Sequence, residues 1–281
     1  MISAPADIQC GHVTVCICEA EMIKTYFVDG DKGGVGKSTV ARAVVDMLIQ
    51  AERFRLSKID KIIIVDADPM NDDVCGEGGY VNERVGNTEI TAIRFPIRDI
   101  ENWKDIIDRL LEVEVGKIDI EAENIRIVFS LPAGAGLTLL ENPFIFDMIG
   151  LFNGVPIWVL GNEESSVKQL QMRIDAAPVQ YEKGFAVRNL KHGSAHTFSC
   201  WNNSATKKMV MDWGWQEIDF PVGMSSVMVD LGQTPAHRAS SLNIGANGKR
   251  LGVGTMMVLN SYRDVTCGRL LVLEREGNGD E

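Results

Sequence analysis

Short apolar runs alternate with amphipathic stretches along most of this chain. The apolar runs typical of strands occupy residues 23–28, 62–65, 125–129, 155–160, 185–187 and 218–220. Between several of these runs, apolar positions recur at helical spacing, within residues 39–50, 103–111 and 166–177. Strands that are apolar throughout are buried on both faces, as in parallel sheets. The alternation therefore predicts an α/β fold with a mostly parallel, twisted β-sheet and helices on both faces.

The same pattern predicts where the domain begins and ends. Residues 1–21 show no clear element, and we expect either a disordered extension or a mis-assigned start. In the second case Met22 would be the native initiator. Residues 22–273 are predicted to form a single domain. Residues 274–281 are predicted to be a disordered tail.

Two regions inside the domain have weaker patterns. A loop rich in Asp and Gly is expected after the second strand, through about Asn87. Beyond Ala236 the pattern fades, and residues 256–259 and 270–273 suit terminal helices or an edge strand.

Composition narrows the setting in which the protein works. The chain has 281 residues, 45% of them hydrophobic, which is enough for one large core. Its net charge of −11 disfavours contact with nucleic acid or anionic membrane over most of its surface. The 6 cysteines lack the spacing of a zinc or redox pair. No apolar run approaches the roughly 18 residues of a membrane helix, and no export signal is recognisable, so we expect a cytoplasmic protein without membrane contact.

Residues 29–39 read DGDKGGVGKST, between a predicted strand and a predicted helix, as in phosphate-binding P-loops. Glycines let the backbone turn its N–H groups toward phosphate oxygens, and the following helix directs its positive dipole end to the same point. We predict binding of ATP and Mg²⁺, with Lys37 reaching the β and γ phosphates and the Ser38 hydroxyl ligating Mg²⁺. A Gly-rich turn with a capping serine is the alternative. The predicted nucleotide-binding residues of the loop are Gly33, Gly34, Val35, Gly36, Lys37, Ser38 and Thr39.

Two residues of this loop depart from the general Walker A motif. Asp31 stands where the first glycine is expected, and Lys32 adds a second lysine. KGGVGKST resembles the deviant Walker A motif of the ParA/MinD superfamily, and the resemblance implies that Lys32 crosses a dimer interface to the partner's nucleotide. A cation supplied across an interface neutralises charge on the transferred phosphate, so hydrolysis would depend on dimerisation. A solvated surface lysine is the alternative.

The ends of later strands carry further candidates. VDADP, at residues 65–69, resembles the second motif of the superfamily, which implies that Asp68 orients the attacking water and that Asp66 supports Mg²⁺ or the loop. Ordinary acidic loop composition is the alternative. Many relatives have an aspartate where this chain has Ser130, which can bind a metal-bound water but brings no charge, so slow turnover is expected. Asn189 lies where the superfamily commonly has an asparagine that reads adenine, and a loop-capping asparagine is the alternative.

A second group of polar residues has metal-like spacing. His192, His196 and Cys200 recur at intervals that would place them on one face of a helix. Gly193 and Ser194 argue against a continuous helix there, so loop and packing roles are expected.

The resemblance covers about residues 22–236 and is nearest to the mobilisation and stability ATPases of conjugative plasmids, the StbB, MobD and TraL type. It implies an ATP-dependent homodimerising switch with slow, partner-stimulated ATP hydrolysis, and association with plasmid DNA through an adaptor or DNA-binding partner protein. A metabolic P-loop ligase or kinase that acts on a small molecule is the alternative. A membrane-bound switch of the MinD kind would need a basic amphipathic C-terminal helix, whereas this C-terminus is short and acidic.

Overall fold

The structure is a computed structural model that describes residues 23–30, 32–97, 99–110, 124–132 and 152–275. The expectations for residues 1–21, for Met22 as the start, for Asp31 and for residues 276–281 lie outside these ranges.

One eight-stranded sheet runs through the molecule. Its strands are β1 (Ile23–Gly30), β2 (Lys61–Asp66), β3 (Glu83–Val85), β4 (Thr88–Arg94), β5 (Ile125–Ser130), β6 (Gly154–Leu160), β7 (Phe185–Asn189) and β8 (Gln216–Phe220). Their order across the sheet is β3-β4-β2-β5-β1-β6-β7-β8. The short edge strand β3 pairs with β4 in the antiparallel sense, and the other neighbours are parallel. The predicted α/β fold with a mostly parallel sheet is confirmed.

Helices connect the strands and cover both faces of the sheet. They are α1 (Lys37–Arg53), α2 (Ile100–Arg109), α3 (Glu164–Ala176), α4 (Ser199–Asn202), α5 (Ala205–Asp212), α6 (Ser225–Leu231), α7 (Ala236–Leu242), α8 (Val253–Leu270) and α9 (Val272–Arg275). Helix α1 begins after Gly36, whose left-handed backbone ends the loop, and α2 begins after Asp99, whose carboxylate accepts a hydrogen bond from the Asn102 N–H. The three helices expected from apolar spacing are therefore present, with slightly different ends.

Alternate residues of the central strands enter two different cores. In β1, Phe27 packs in the core under α2, α3 and α5, whereas Tyr26 and Val28 pack in the core under α1 and α8. This is the burial of both strand faces that continuous apolar runs predict. Because these strands are parallel, their carboxyl ends lie at the same edge of the sheet, where the loops that follow them meet.

The loop expected after β2 through about Asn87 is present but ends earlier, because strand β3 begins at Glu83. Strand β3 and the start of β4 form a hairpin across Gly86, which has a φ of 62°. In β4 the buried positions include Thr88 and Thr91, so the strand lacks the continuous apolar run by which its neighbours were found. Its buried apolar residues, Ile90 and Ile93, are separated by Thr91 and Ala92, so no continuous apolar run marks the strand.

The C-terminal region is helical, and the predicted tail begins too early. Residues 256–259 lie within α8, so the edge-strand alternative for them is excluded. Glu274, predicted to be disordered, lies in α9 and forms a buried ion pair with Arg126 of β5, with Nε and Oε1 2.9 Å apart. The ordered region therefore extends at least to α9.

Candidate functional site

The predicted site residues meet at one edge of the sheet. Strands β1, β2, β5 and β7 are parallel members of the sheet, so their carboxyl ends share this edge. Asp66 at the end of β2 lies directly opposite Ser130 at the end of β5. Ser130 is in turn paired with Val28 of β1, two residues before Gly30, where the loop begins. The structure therefore places the start of the glycine-rich loop, Asp66 and Ser130 at neighbouring strand ends, with Asp68 in the loop that follows β2.

The glycine-rich loop forms a backbone cradle at the N-terminus of α1. Gly34 and Gly36 have φ values of 83° and 106°, a region that side chains disfavour. Nothing lies within 4 Å of where a Cβ would be at Gly33 or Gly34, so this side of the loop is open to a ligand. Successive backbone N–H groups in such a turn, with a helix N-terminus behind them, form an anion-binding concavity. The loop geometry fits a phosphate group.

Lys37, Ser38 and Thr39 form the first turn of α1. The Lys37 side chain folds back over the loop, where its Nζ donates a hydrogen bond to the Lys32 carbonyl oxygen at 3.2 Å. Lys37 is buried, Ser38 is half-buried and Thr39 is exposed. The ammonium group of Lys37 thus lies at the mouth of the cradle, where it is placed to meet phosphate oxygens.

Lys32 extends from the loop toward a neighbouring one. It forms an ion pair with Glu163, which directly precedes α3, and the two side chains are 55% and 57% exposed. The hydrogen bond and the positive charge of Lys32 hold the pKa of the Glu163 carboxyl below its ordinary value. Pairs this exposed contribute little to stability, so Lys32 can exchange partners at low cost.

Asp66 supports the loop that follows β2. Its buried carboxylate accepts hydrogen bonds from the backbone N–H groups of Val74, at 3.1 Å, and Cys75, at 3.0 Å. Burial raises the pKa of Asp66, and these hydrogen bonds oppose that rise by stabilising the charged form. Of the two roles expected for Asp66, the structure shows the loop-supporting one.

Asp68 is half-buried and organises the turn in which it lies. Its Oδ1 accepts hydrogen bonds from the backbone N–H groups of Met70, at 2.8 Å, and Asn71, at 3.3 Å. The carboxylate is near the loop edge of the sheet but is not held by a cationic side chain among the contacts described. It retains acceptor capacity for a water molecule.

The polar side chains at this edge of the sheet suit an Mg²⁺ ion whose ligands are mostly phosphate oxygens and water molecules. Within the described ranges, no group of three His, Cys, Asp or Glu side chains is arranged to hold a metal. Mg²⁺ beside a nucleotide commonly takes only one or two protein ligands, so a preformed cage is not required. The Ser38 hydroxyl at the start of α1 fits this role, and Ser130, which is buried, stands opposite the Asp66 carboxylate.

Asn189 contacts the loop itself. Its Nδ2 donates to the Val35 carbonyl oxygen at 2.7 Å, and its Oδ1 accepts from the Lys191 N–H at 3.1 Å. The Lys191 contact is the loop-capping role that was the alternative to adenine recognition. His192, which the sequence singled out only for metal-like spacing, also reaches the Val35 oxygen, with Nε2 3.3 Å away.

A buried ion pair beneath the loop had no sequence signal. Asp29 at the end of β1 accepts from the Arg173 guanidinium of α3, with Nη2 and Oδ2 3.1 Å apart. The other oxygen of Asp29 accepts from the Gly30 N–H at 2.7 Å. The guanidinium lies over the Trp158 ring, 5.9 Å from its centroid. Only the helical periodicity of α3 was visible in the sequence, and Arg173 lies on the buried side of that helix.

The fold defines the broad class of protein. The chain is an α/β protein with an eight-stranded, mostly parallel sheet, consistent with a P-loop NTPase-like architecture. No protein-family model matches it. The chain is similar to Protein MobD of Acidithiobacillus ferrooxidans, with 25% identity over 242 residues, which cover 85% of this chain and 92% of that protein. Among the helices that the structure describes, none has the length and apolar character of a membrane span.

Proposed function

We propose that this chain is an ATP-dependent dimerising switch ATPase of the ParA/MinD type, with a role related to plasmid mobilisation. The observation that carries the proposal is the open glycine cradle at the N-terminus of α1, with Lys37 folded over its mouth. The similarity to MobD supports a plasmid mobilisation-related role. Roles in plasmid partition or plasmid stability are the alternatives within the same proposal.

In this proposal the chain's own groups bind and orient ATP. Backbone N–H groups of the loop hold the phosphates, Lys37 moves from the Lys32 carbonyl to the β and γ phosphates, and Ser38 holds Mg²⁺. The metal ion, when bound, neutralises charge on the phosphates. Asp68 orients a water molecule through the acceptor capacity that its turn leaves free.

Lys32 is the group that would link hydrolysis to dimerisation. More than half of its side chain is exposed, so it can reach a second protomer that docks on the loop edge. A cation that arrives from a partner stabilises the charge that develops on the transferred phosphate. The monomer would therefore bind ATP without hydrolysing it efficiently.

Slow turnover follows from the residues around the metal position. Ser130 brings no charge, and the Asp66 carboxylate is already engaged by the loop after β2. A slow enzyme persists in its ATP-bound state, which suits a switch more than a metabolic catalyst. The net charge of −11 favours contact with DNA through a basic adaptor or DNA-binding partner protein in the cytoplasm.

The test is molar mass by light scattering with ADP, with ATP and with a slowly hydrolysed ATP analogue. Wild type should form a dimer with ATP and the analogue but not with ADP. Lys37→Ala should abolish the response because phosphate binding is lost, and Asp68→Ala should make the ATP dimer persist because hydrolysis stops. Lys32→Ala should lower hydrolysis and leave ATP binding by the monomer intact.

The same samples distinguish the alternative. If the mass never responds to ATP while a small molecule accelerates ATP consumption, the switch proposal is wrong and a metabolic P-loop ligase or kinase takes its place. If neither ATP binding nor hydrolysis occurs in the wild type, both P-loop functions are wrong.

A further inference from the structure

The contact between Asn189 and Val35 fixes one peptide unit of the glycine-rich loop. The Nδ2 group of Asn189 lies 2.7 Å from the Val35 carbonyl oxygen, and Asn189 is only 3% exposed. Its other amide atom is held in turn, because Oδ1 accepts from the Lys191 N–H at 3.1 Å. The amide is therefore fixed at both ends and has a defined direction.

The orientation of this peptide decides where the Gly36 N–H points. A trans peptide is planar, so its carbonyl oxygen and its N–H point in opposite directions. Because the Val35 oxygen is drawn toward Asn189 at the end of β7, the N–H of Gly36 is directed away from β7. Gly36 immediately precedes α1, where loop N–H groups converge on a bound phosphate.

The fit around Gly36 is tight on the Asn189 side. A Cβ on Gly36 would lie 2.2 Å from the Asn189 Nδ2, which leaves no space between the two residues. His192 adds a second contact to the same oxygen, with its Nε2 3.3 Å from the Val35 oxygen. The last residue of β7 and a residue of the turn that follows it thus contact the same carbonyl group of the loop.

We propose that Asn189 is a positioning residue for the phosphate loop: it holds the Val35–Gly36 peptide so that the Gly36 N–H faces the bound phosphate, and His192 assists it. This inference deepens the proposed function and rests on it. It differs from adenine recognition, because an amide that positions the loop affects every ligand with a phosphate chain, whatever its base. Without Asn189 the peptide is free to rotate and one phosphate donor is lost.

The test is the affinity of the full chain for Mg²⁺ complexes of ATP, GTP and inorganic tripolyphosphate, measured by titration calorimetry. Asn189→Ala removes the donor without adding charge, and Asn189→Asp keeps the shape and the acceptor for Lys191. Both should weaken all three ligands by a similar factor, roughly 10-fold or more, with the preference between ATP and GTP unchanged. His192→Ala should act in the same direction with a smaller factor.

Asn202→Ala is the matched control, because Asn202 also donates its side-chain amide to a backbone carbonyl oxygen, that of Ala195 at 2.9 Å, which lies outside the glycine-rich loop. It should leave all three affinities near those of wild type. Thermal unfolding of each unliganded variant identifies any that fails to fold, and His192→Ala then still tests the contact.

Three results would overturn the proposal. A loss of ATP affinity with unchanged tripolyphosphate affinity would make Asn189 a reader of the base. Unchanged affinities for all three ligands would show that Asn189 only caps the turn after β7. A wild type that binds none of the ligands would show that the proposed function has failed, whatever the role of Asn189.

Discussion

At the scale of single residues, the phosphate loop is held from beneath by a buried pair of charges. Asp29 shares its carboxylate between Arg173 and the N–H of Gly30, so the pair fixes the point at which strand β1 becomes loop. Burying two charges is costly, and good hydrogen-bond geometry offsets that cost only while both partners are present. The Arg173 side chain also packs over Trp158.

Removal of Arg173 should therefore cost far more than removal of a similar charge at the surface. We expect Arg173→Met to lower the free energy of unfolding by about 3 kcal/mol or more, because it leaves Asp29 charged, buried and without its partner. Lys168→Met, on the same helix, removes an exposed partner of Glu164 and should cost no more than about 0.5 kcal/mol. Urea denaturation measures both, and equal losses would show that the buried pair is dispensable.

The sequence revealed the loop residues but not their partners. The motif from Lys32 to Thr39 is contiguous, so spacing alone indicated a phosphate site. Glu163 is 131 residues from Lys32, Arg173 is 144 residues from Asp29, and His192 is 157 residues from Val35. Those pairings follow from the order of strands across the sheet, which residue spacing does not encode.

At the scale of elements, the C-terminal helix α9 is tied to the opposite end of the sheet from the site. The Glu274 carboxylate accepts hydrogen bonds from the Nε and Nη2 groups of Arg126, from the Ser57 hydroxyl and from the Tyr26 hydroxyl. The hydroxyl of Tyr26 also donates to the Leu273 carbonyl oxygen at 3.0 Å. A short, acidic end of the chain resembles a tail in the sequence, because its partner Arg126, the second residue of β5, is 148 residues away.

The variant Glu274→Gln tests how much the ion pair between Glu274 and Arg126 contributes to stability. Gln still accepts a hydrogen bond but has no charge, so at neutral pH we expect the free energy of unfolding to fall by about 1–3 kcal/mol. Glu164→Gln removes a carboxylate whose side chain is 70% exposed, and is expected to change stability very little. Urea denaturation at neutral pH compares the two, and equal stabilities would mean that α9 docks without this charge.

The pH dependence of the same variant has a definite sign. Burial acts to raise the pKa of Glu274, but the hydrogen bond and charge of Arg126 outweigh it and hold the pKa below its ordinary value of 4.5. A lowered pKa contributes stability that is present above the unfolded-state value and is lost as the pH falls through the folded-state value. The gap between wild type and Glu274→Gln should therefore close as the pH is lowered below 4.5.

The strands that could be predicted from the sequence were those with continuous apolar runs. Central strands such as β2 and β5, apolar throughout and buried on both faces, were predicted to within about a residue at each end. Strands β3 and β4 were missed because polar contacts, such as that between Arg238 and Glu83 at 2.7 Å, help to hold that edge. Arg238 belongs to helix α7 and is 155 residues from Glu83, so this contact leaves no local signal in the sequence.

At the scale of the whole molecule, the monomer already has an internal partner for the lysine that is proposed to cross the dimer interface. Lys32 pairs with Glu163 in the same chain, and a second protomer must compete with that contact. The pair is exposed and screened by salt, so it biases the equilibrium between monomer and dimer only slightly. Loss of the ion pair between Lys32 and Glu163 should therefore shift the equilibrium toward the dimer.

Glu163→Gln is expected to shift ATP-dependent dimerisation to lower protein concentration, by no more than about five-fold, because Lys32 is released more readily. Glu164→Gln is the matched control, since it removes the same charge from the adjacent residue and so has the same effect on repulsion between protomers. Light scattering across a protein dilution series at low and high salt measures the difference, which salt should diminish. If Glu163→Gln instead weakens the dimer while Glu164→Gln does not, Glu163 belongs to the interface itself and orients Lys32 for its partner.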